Sequence, residues 1–490
     1  MQKKPVIFEI NSRVWIKRFN NISNILDIPT DYWQSLRNKG IDYIWLMGLW
    51  ETVPESVEKY CFAEELLSGY NRALPDWKKE DVIGSAYAIN QYKINPLFGS
   101  EQDITKLKEI LNNLGLKLIL DFIPNHFNSL SVVVQSNPEI FLTSDEERFE
   151  NDPITYFKVN GNNSVFAHGR DPFFPAWQDT IQINYYKQDA RDFMLGQLTK
   201  ISKMCDGVRC DMAILSLNNI FQNTWGNCLN DNGYQKPETE FWEDAISSVK
   251  TKQPDFIFIA EAYWNLEWQL QQLGFDFTYD KKLTDRLQSS HAKEIREHLL
   301  AEEDYQNKSL RFLENHDEER ALSNFGTDKS KAAAVIISTI PGMKLFHDGQ
   351  FEGKKIKLPV QLGREPDEKP NPELLGFYNK LLEVSNSDII KQGKWNLLET
   401  IPVWENHNML SFKSILAWEL SHQNKRCLVA VNYDEGVNSC RIKIDVNSDK
   451  NLIDFDDVIN NNIYIREIDE IKNQGLFVEL QPYHYHILVY

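Results

Sequence analysis

A chain of 490 residues with 42% hydrophobic and 25% charged residues has a globular composition, long enough for two or three domains, which excludes a disordered protein. Its formal net charge of −18 argues against a nucleic-acid or acidic-membrane partner and leaves a neutral ligand unaffected. Glu9, Asn11 and Arg13 interrupt any signal-peptide core, no run reaches the roughly 18–20 apolar residues that span a bilayer, and six scattered cysteines without CxxC spacing read as reduced thiols of a cytoplasmic protein.

Residues 5–11 read as a first strand. Residues 29–38 read as a helix, with Pro29 in its first turn, an apolar face of Tyr32, Trp33 and Leu36, and Gly40 ending it. Residues 41–50 form a second apolar strand. The aromatic, Gly- and Pro-containing segment 51–99 reads as a long functional loop. Residues 103–114 are an amphipathic helix closed by Gly115, and 116–126 a third strand with polar groups gathered at its end. Residues 127–186 show no helical period and carry Pro138, Pro153, Pro172 and Pro175, as an inserted subdomain would. Helix 190–204, strand 205–213, helix 241–249 and strand 256–261 follow. Then come strands 274–279 and 309–317, helix 332–340, strand 343–347 and helix 373–385. Beyond about residue 393 the runs 410–418, 426–433, 440–446 and 483–490 are short, β-rich and separated by Asn, Asp and Gly.

Eight strands alternating with helices predict an α/β fold, a (β/α)8 TIM barrel, with the doubly wound sheet as the alternative. No Gly-rich phosphate loop follows the first strand, which weighs against the alternative. The boundaries expected are 1–126 and 187–392 for the barrel, 127–186 for the subdomain inserted after strand three, and 393–490 for a C-terminal antiparallel β-sandwich.

The stretch Cys205-Asp-Gly-Val-Arg-Cys-Asp211-Met-Ala213 organises the rest. Side chains alternate along a strand, so Val208 and Cys210 face one way, and Arg209 and Asp211 the other. A guanidinium beside a carboxylate holds it ionised, and an ionised carboxylate in a cleft is a candidate nucleophile. A purely structural Arg–Asp pair fits this segment equally well when it is taken alone. However, Asp121, Asn125, His126, Glu261, Asn315, His316 and Asp317 also fall at strand ends, where barrels carry their chemistry. Several carboxylates at one pole are a poor packing solution, because like charges buried together and unpaired repel. Acids without metal-type His spacing suggest glycoside chemistry: one attacks the anomeric carbon, a second protonates the leaving oxygen, and a third balances developing charge. The 13 Trp, 19 Tyr and 27 Phe fit either a large core or stacking platforms for sugar rings.

In its motifs the sequence resembles the α-amylase family of barrel glycoside hydrolases over essentially its whole length. Asp121-Phe-Ile-Pro-Asn125-His126 matches the family's DxxxNH segment and Gly207-Val-Arg209-Cys-Asp211 its GxRxD strand. Glu261 stands where the family places its acid/base, and Asn315-His316-Asp317 matches its NHD segment. Gln182-Ile-Asn184-Tyr185 and Gly349-Gln350-Phe-Glu352-Gly353 resemble further family regions. The resemblance implies Asp211 as nucleophile, Glu261 as acid/base, Asp317 as transition-state stabiliser and Arg209 as the residue orienting Asp211. It further implies that His126 and His316 bind the sugar, that Tyr87 stacks on its face and that Asp121 supports the site. Trp264 is a candidate platform for the leaving group, with a rim-packing role as the alternative. The segment 168–179 is a candidate rigid lid, or else a subdomain core.

Two departures stand out. Many family members continue the nucleophile strand into Lys-His, where this chain has Ile214-Leu215, so different acceptor subsites are expected. Asn125 can be a calcium ligand in the family, but no convincing partner set is visible, since such sites need about six or more oxygens. No cofactor is expected to be required, and Asn125 otherwise serves to hydrogen-bond its loop. The expected function is hydrolysis of α-glucosidic oligosaccharides through a glycosyl-enzyme. The alternatives are a transglycosylase using the same intermediate, a phosphate-using relative, and a non-catalytic sugar-binding or scaffold protein.

Overall fold

A computed structural model of the protein describes residues 4–159, 161, 163–404, 411–446 and 450–490. Eight parallel strands close into a barrel in the order of the chain: β1 (Val6–Asn11), β2 (Tyr43–Met47), β3 (Lys117–Phe122), β4 (Gly207–Cys210), β5 (Ile257–Ala260), β6 (Phe277–Tyr279), β7 (Ser309–Arg311) and β8 (Met343–His347). The strands are buried almost throughout because both faces are covered, even where polar residues interrupt them, as in the Ser-Leu-Arg of β7. The inward face packs Ile7, Trp45, Ile119, Ile259, Tyr279 and Leu345 against one another, and the outward face packs Phe8, Val208, Cys210 and Phe258 under the helices. Parallel register sets Arg209 level with Asp121 on one side and Ile259 on the other, and Glu9 level with Trp45 and His347. Gly207, which opens β4, sits where a Cβ would lie 2.6 Å from the Ile257 carbonyl oxygen and 2.7 Å from Ile119 Cδ1. Only glycine lets the nucleophile strand run this close to its neighbours.

Two stretches expected to lack helix are corrected. Segment 51–99 holds the helices Pro54–Tyr60 and Glu64–Ala73, and its strand Ile89–Ile94 pairs with Trp50–Thr52. Segment 127–186 contains the helical turns Val132–Ser136 and Glu146–Asn151, the small sheet of Thr143–Ser144, Val165–Ala167 and Tyr156–Lys158, and an antiparallel pair in which His126–Asn128 meets Thr180–Gln182 and so closes the segment at its base. The two turns of segment 127–186, five and six residues long, are too short for a 3.6-residue period to show in sequence.

The C-terminal region is antiparallel. A six-stranded sheet, in the order Lys394–Leu397, Ile415–His422, Lys425–Asn432, Tyr485–Val489, Leu452–Asp457 and Asn462–Glu467, shares a core with a three-stranded sheet of Thr400–Ile401, Asn438–Ile442 and Leu476–Leu480. The strand expected over 410–418 begins at Ile415, after a 3-10 turn at Ser411–Ser414; Leu410 lies outside the described residues. All six cysteines are buried and free. No helix among the described residues is long and apolar enough to cross a membrane.

Candidate active site

The C-terminal ends of the strands open into a cleft of about 960 Å³, bordered by Asp211, Glu261, Asp317, His126, Tyr87 and Trp264 among others. Arg209 is the pivot. Its side chain lies inside the barrel, 1% exposed, with Nη1 donating to Asp211 Oδ1 at 2.6 Å. Nη2 lies 2.7 Å from Glu261 Oε2, an ion pair off the hydrogen-bonding direction. Nε donates to Tyr279 OH at 3.2 Å, and Asp121 Oδ1 stands 3.8 Å from Nη1. The rings of Trp45, Tyr87 and Tyr279 surround the guanidinium at 5.2–5.6 Å. A planar fork with aromatic walls fixes two carboxylates at once, which the point charge of a lysine would not do.

Glu261 is held from three directions. Besides Arg209, the Met212 N–H donates to Oε2 at 2.7 Å and Tyr263 OH to Oε1 at 2.8 Å. Met212 takes the left-handed backbone conformation (φ 39°), uncommon for a side chain of its size, immediately after Asp211. Burial pushes the Glu261 carboxyl up to about 7 against the pull of Arg209, and Asp211 and Asp317 add to the rise. Burial also raises Asp211, which Arg209 opposes by charge and hydrogen bond.

Asp317 belongs to a second chain of contacts that begins at Glu9. Glu9 Oε1 lies 2.5 Å from His316 Nδ1, and His316 Nε2 lies 2.9 Å from Asp317 Oδ2. Burial alone would lower the imidazole, yet Asp317 and Glu9 raise it well above the usual histidine range. Asp317 moves the opposite way: burial would raise it, but His316, then Arg209 and Lys357, hold it well below the usual carboxylate range. Its side chain remains 47% exposed, so the carboxylate faces the cleft rather than the core.

The other sequence-predicted residues fall around this frame. Asp121 accepts from Trp45 Nε1 and the Gly48 N–H, each at 3.2 Å, and burial lifts its carboxyl to about 7. His126 borders the cleft beside Trp177 and is held by burial at about 4, hence neutral. Tyr87 stacks on the His316 ring with centroids 5.1 Å apart, and its buried hydroxyl has no partner among the described residues. Asn125 Oδ1 accepts from Gln182 Nε2 at 2.9 Å, and the Asn125 carbonyl accepts from the same amide at 3.0 Å. No group of three or more His, Cys, Asp or Glu among the described residues is placed to hold a metal. Ile214 and Leu215 are buried in the turn Ala213–Ser216. Trp264, also left-handed (φ 62°), borders the cleft and meets Phe173 edge-on at 4.9 Å.

Segment 168–179 is anchored rather than loose. His168 Nδ1 lies 2.6 Å from the Thr180 carbonyl oxygen, and its ring stacks on Phe157 at 4.0 Å. Asp171 Oδ1 accepts from the Phe173 and Phe174 N–H groups, which leaves those two rings 68% and 66% exposed. Glu9, Met212, Tyr263 and Tyr279 are the site residues that sequence reasoning missed. Glu9 carried a usable signal, because an acid in the middle of an otherwise apolar buried strand requires a partner.

The model of the alpha-amylase catalytic domain matches residues 30–368. The chain belongs to the alpha-amylase family. Alpha-amylase 3 of Dictyoglomus thermophilum is 22% identical over 453 residues, covering 80% of each chain. The intracellular maltogenic amylase of Bacillus subtilis is 21% identical over 355 residues, and the match spans 54% of that protein's length. Among solved structures, the noncanonic maltogenic alpha-amylase AmyB from Thermotoga neapolitana superposes with a TM-score of 0.71 at 20% identity, covering 99% of this chain and 98% of that one. This alpha-amylase family chain therefore carries the family's barrel and its C-terminal β domain in one fold.

Proposed function

We propose that the protein is a retaining hydrolase of α-glucosidic oligosaccharides, with Asp211 as nucleophile, Glu261 as acid/base and Asp317 as the balancing carboxylate. The observation that carries the reading is that one guanidinium, Arg209, reaches both Asp211 and Glu261. Their separation is thereby limited to two ion-pair lengths and the span of one guanidinium. The about 5–5.5 Å spacing of a retaining pair fits within that limit.

In the first step Asp211 bonds to the anomeric carbon, the carbon–oxygen bond to the leaving sugar breaks, and that oxygen takes the proton of Glu261. A pKa of about 7 keeps this proton available near neutrality. In the second step Glu261 removes a proton from water, whose oxygen bonds to the same carbon while the ester to Asp211 breaks. Asp317, kept ionised by His316, faces the positive charge that develops in both steps. Tyr87 offers its ring face to the sugar, and His126 its neutral ring to the sugar hydroxyls. Asn125 acts by hydrogen-bonding its loop, and we propose that no cofactor or cation is required. Six free, buried cysteines support a cytoplasmic location.

The exposed ring of Phe174, which borders the cleft as Trp264 does, favours a second reading, transfer to an acceptor sugar, because it offers a flat platform there. Reducing-sugar release from maltose, maltotriose, isomaltose, trehalose, sucrose and starch, with and without added acceptor, tests both. Asp211→Ala and Glu261→Gln are each expected to abolish turnover in folded protein. Full activity in Asp211→Ala would refute the assignment.

A further inference from the structure

We infer that the enzyme works from the non-reducing end of its substrate, because a strap formed by residues 354–366 walls off the end of the cleft that receives the glycone. This inference rests on the roles proposed above for Asp211 and Glu261.

Those roles orient the cleft. The leaving sugar lies on the side of the proton donor, so it departs past Met212, Tyr263 and Trp264. The glycone lies on the other side, over Asp211, His316, Asp317 and Tyr87. The connection between β8 and the helix Pro372–Ser385 meets the cleft on that side, where Val360 packs with Tyr87. Val360 and Gln361 border the cleft beside Ser85 and Tyr87; among the described residues, no later residue of the strap and none of the helices Pro54–Tyr60 and Glu64–Ala73 does.

The strap is latched along its length. Lys357 Nζ donates to the Asp317 carbonyl, which ties the strap to the site itself. Arg13 Nη2 donates to the Val360 carbonyl and, at 2.9 Å, to the Gly84 carbonyl, joining the strap to the loop that carries Tyr87. The Ile83 N–H donates to the Gln361 carbonyl at 2.8 Å, and the Gly363 N–H donates to the Asp81 carbonyl at 2.7 Å. Lys17 Nζ donates to the Gly363 carbonyl at 2.6 Å, and Arg364 makes a two-nitrogen pair with Asp81 at 2.9 Å. Arg18 grips Glu365 through Nε and Nη2. Leu362, 1% exposed, plugs a small core made with Tyr70, Leu74 and Val82. A wall with this many anchors from separate elements is a fixed boundary rather than a mobile flap. A chain continuing beyond the glycone would run into it, so the product has a short, fixed length.

The test compares maltopentaose, labelled fluorescently at its reducing end, with the same compound capped by a 4,6-O-benzylidene group on its non-reducing glucose. Products are resolved by chromatography. Wild-type protein is expected to shorten the uncapped chain by one fixed length and to cleave the capped one about 100-fold more slowly, a discrimination on the scale that pocket shape alone achieves. The double variant Lys17→Ala/Arg364→Ala releases two latches, and Val360→Gly trims the wall without touching them. Each is expected to speed cleavage of the capped chain about tenfold, and Lys17→Ala/Arg364→Ala, which lies away from the cleft, to leave the uncapped rate within about twofold. Equal wild-type rates on both compounds would overturn the inference, and discrimination that neither variant relaxes would overturn its assignment to the strap. If neither compound is cleaved, the hydrolase reading fails by itself. Binding to Glu261→Gln protein then decides the wall: at least about tenfold tighter binding of the uncapped chain supports it, and equal affinities overturn it.

Discussion

Glu9→Gln isolates the charge relay that keeps Asp317 ionised. The substitution preserves shape and leaves an oxygen able to accept from His316 Nδ1, but it removes one of the two negative charges that hold the imidazolium. A hydrogen bond to a charged group contributes about 1.5–3 kcal/mol, and deleting one partner of a buried pair outright costs about 3–5 kcal/mol. A near-isosteric replacement belongs at the lower end, about 2 kcal/mol, and lowers the His316 pKa. His316 is raised in the folded protein, so its contribution is fully present below the unfolded value of about 6.5 and is lost as pH rises through the folded value. Urea unfolding should therefore show the largest difference between wild type and Glu9→Gln at pH 6. The difference should shrink as pH is carried above the folded pKa. An NMR titration of the His316 imidazole should show the same downward displacement. A pH-independent difference, or none at pH 6, would refute the reasoning that Glu9 holds His316 as a cation.

Three further outcomes are expected. With Glu261 acting as an acid near a pKa of about 7, kcat/KM should fall as pH rises through about 7; a profile flat to pH 9 would remove Glu261 from that role. Arg209→Met leaves Asp211 and Glu261 buried without their shared partner, so stability should drop by about 3–5 kcal/mol in chemical denaturation, with turnover lost. Unchanged stability would show that the guanidinium is not what holds the two acids. Trp264→Ala should weaken oligosaccharide affinity by about 0.5–1.5 kcal/mol, since a half-buried ring bordering the cleft would otherwise stack on the leaving sugar; unchanged affinity in calorimetry would end the platform idea.

The parts of the fold that were legible in sequence are those where local pattern and burial agree. β8 is bounded in the structure at Met343 and His347, as the apolar run predicts, because the run is flanked by Gly342 and Asp348. The acids at the ends of β3, β4, β5 and β7 stood out because charged residues interrupt otherwise apolar stretches. Helix Asn218–Asp231 was not legible: Asn and Gly dilute its apolar face of Phe221, Trp225, Cys228 and Leu229. Strand Asn462–Glu467 was missed although Ile463 and Ile465 alternate with polar residues, because both isoleucines point to solvent on an edge strand. In the site, motif spacing indicated which residues meet but not what holds them. Glu9 lies more than 300 positions from His316, the two joined only when β1 closes the barrel beside β8. Tyr279 and Met212 act through a hydroxyl that accepts from Arg209 and a backbone N–H, neither of which residue type alone announces.

The central claim, that Asp211 forms a bond to the sugar, is most directly tested by trapping. A fluorinated α-glucosyl fluoride, which forms a glycosyl-enzyme faster than water releases it, should add one glycosyl unit to the intact mass of the protein. Peptide mapping should place that unit on Asp211, and the adduct should be lost from Asp211→Ala. An adduct on another carboxylate, or turnover of the reagent with inversion and no adduct, would contradict the account.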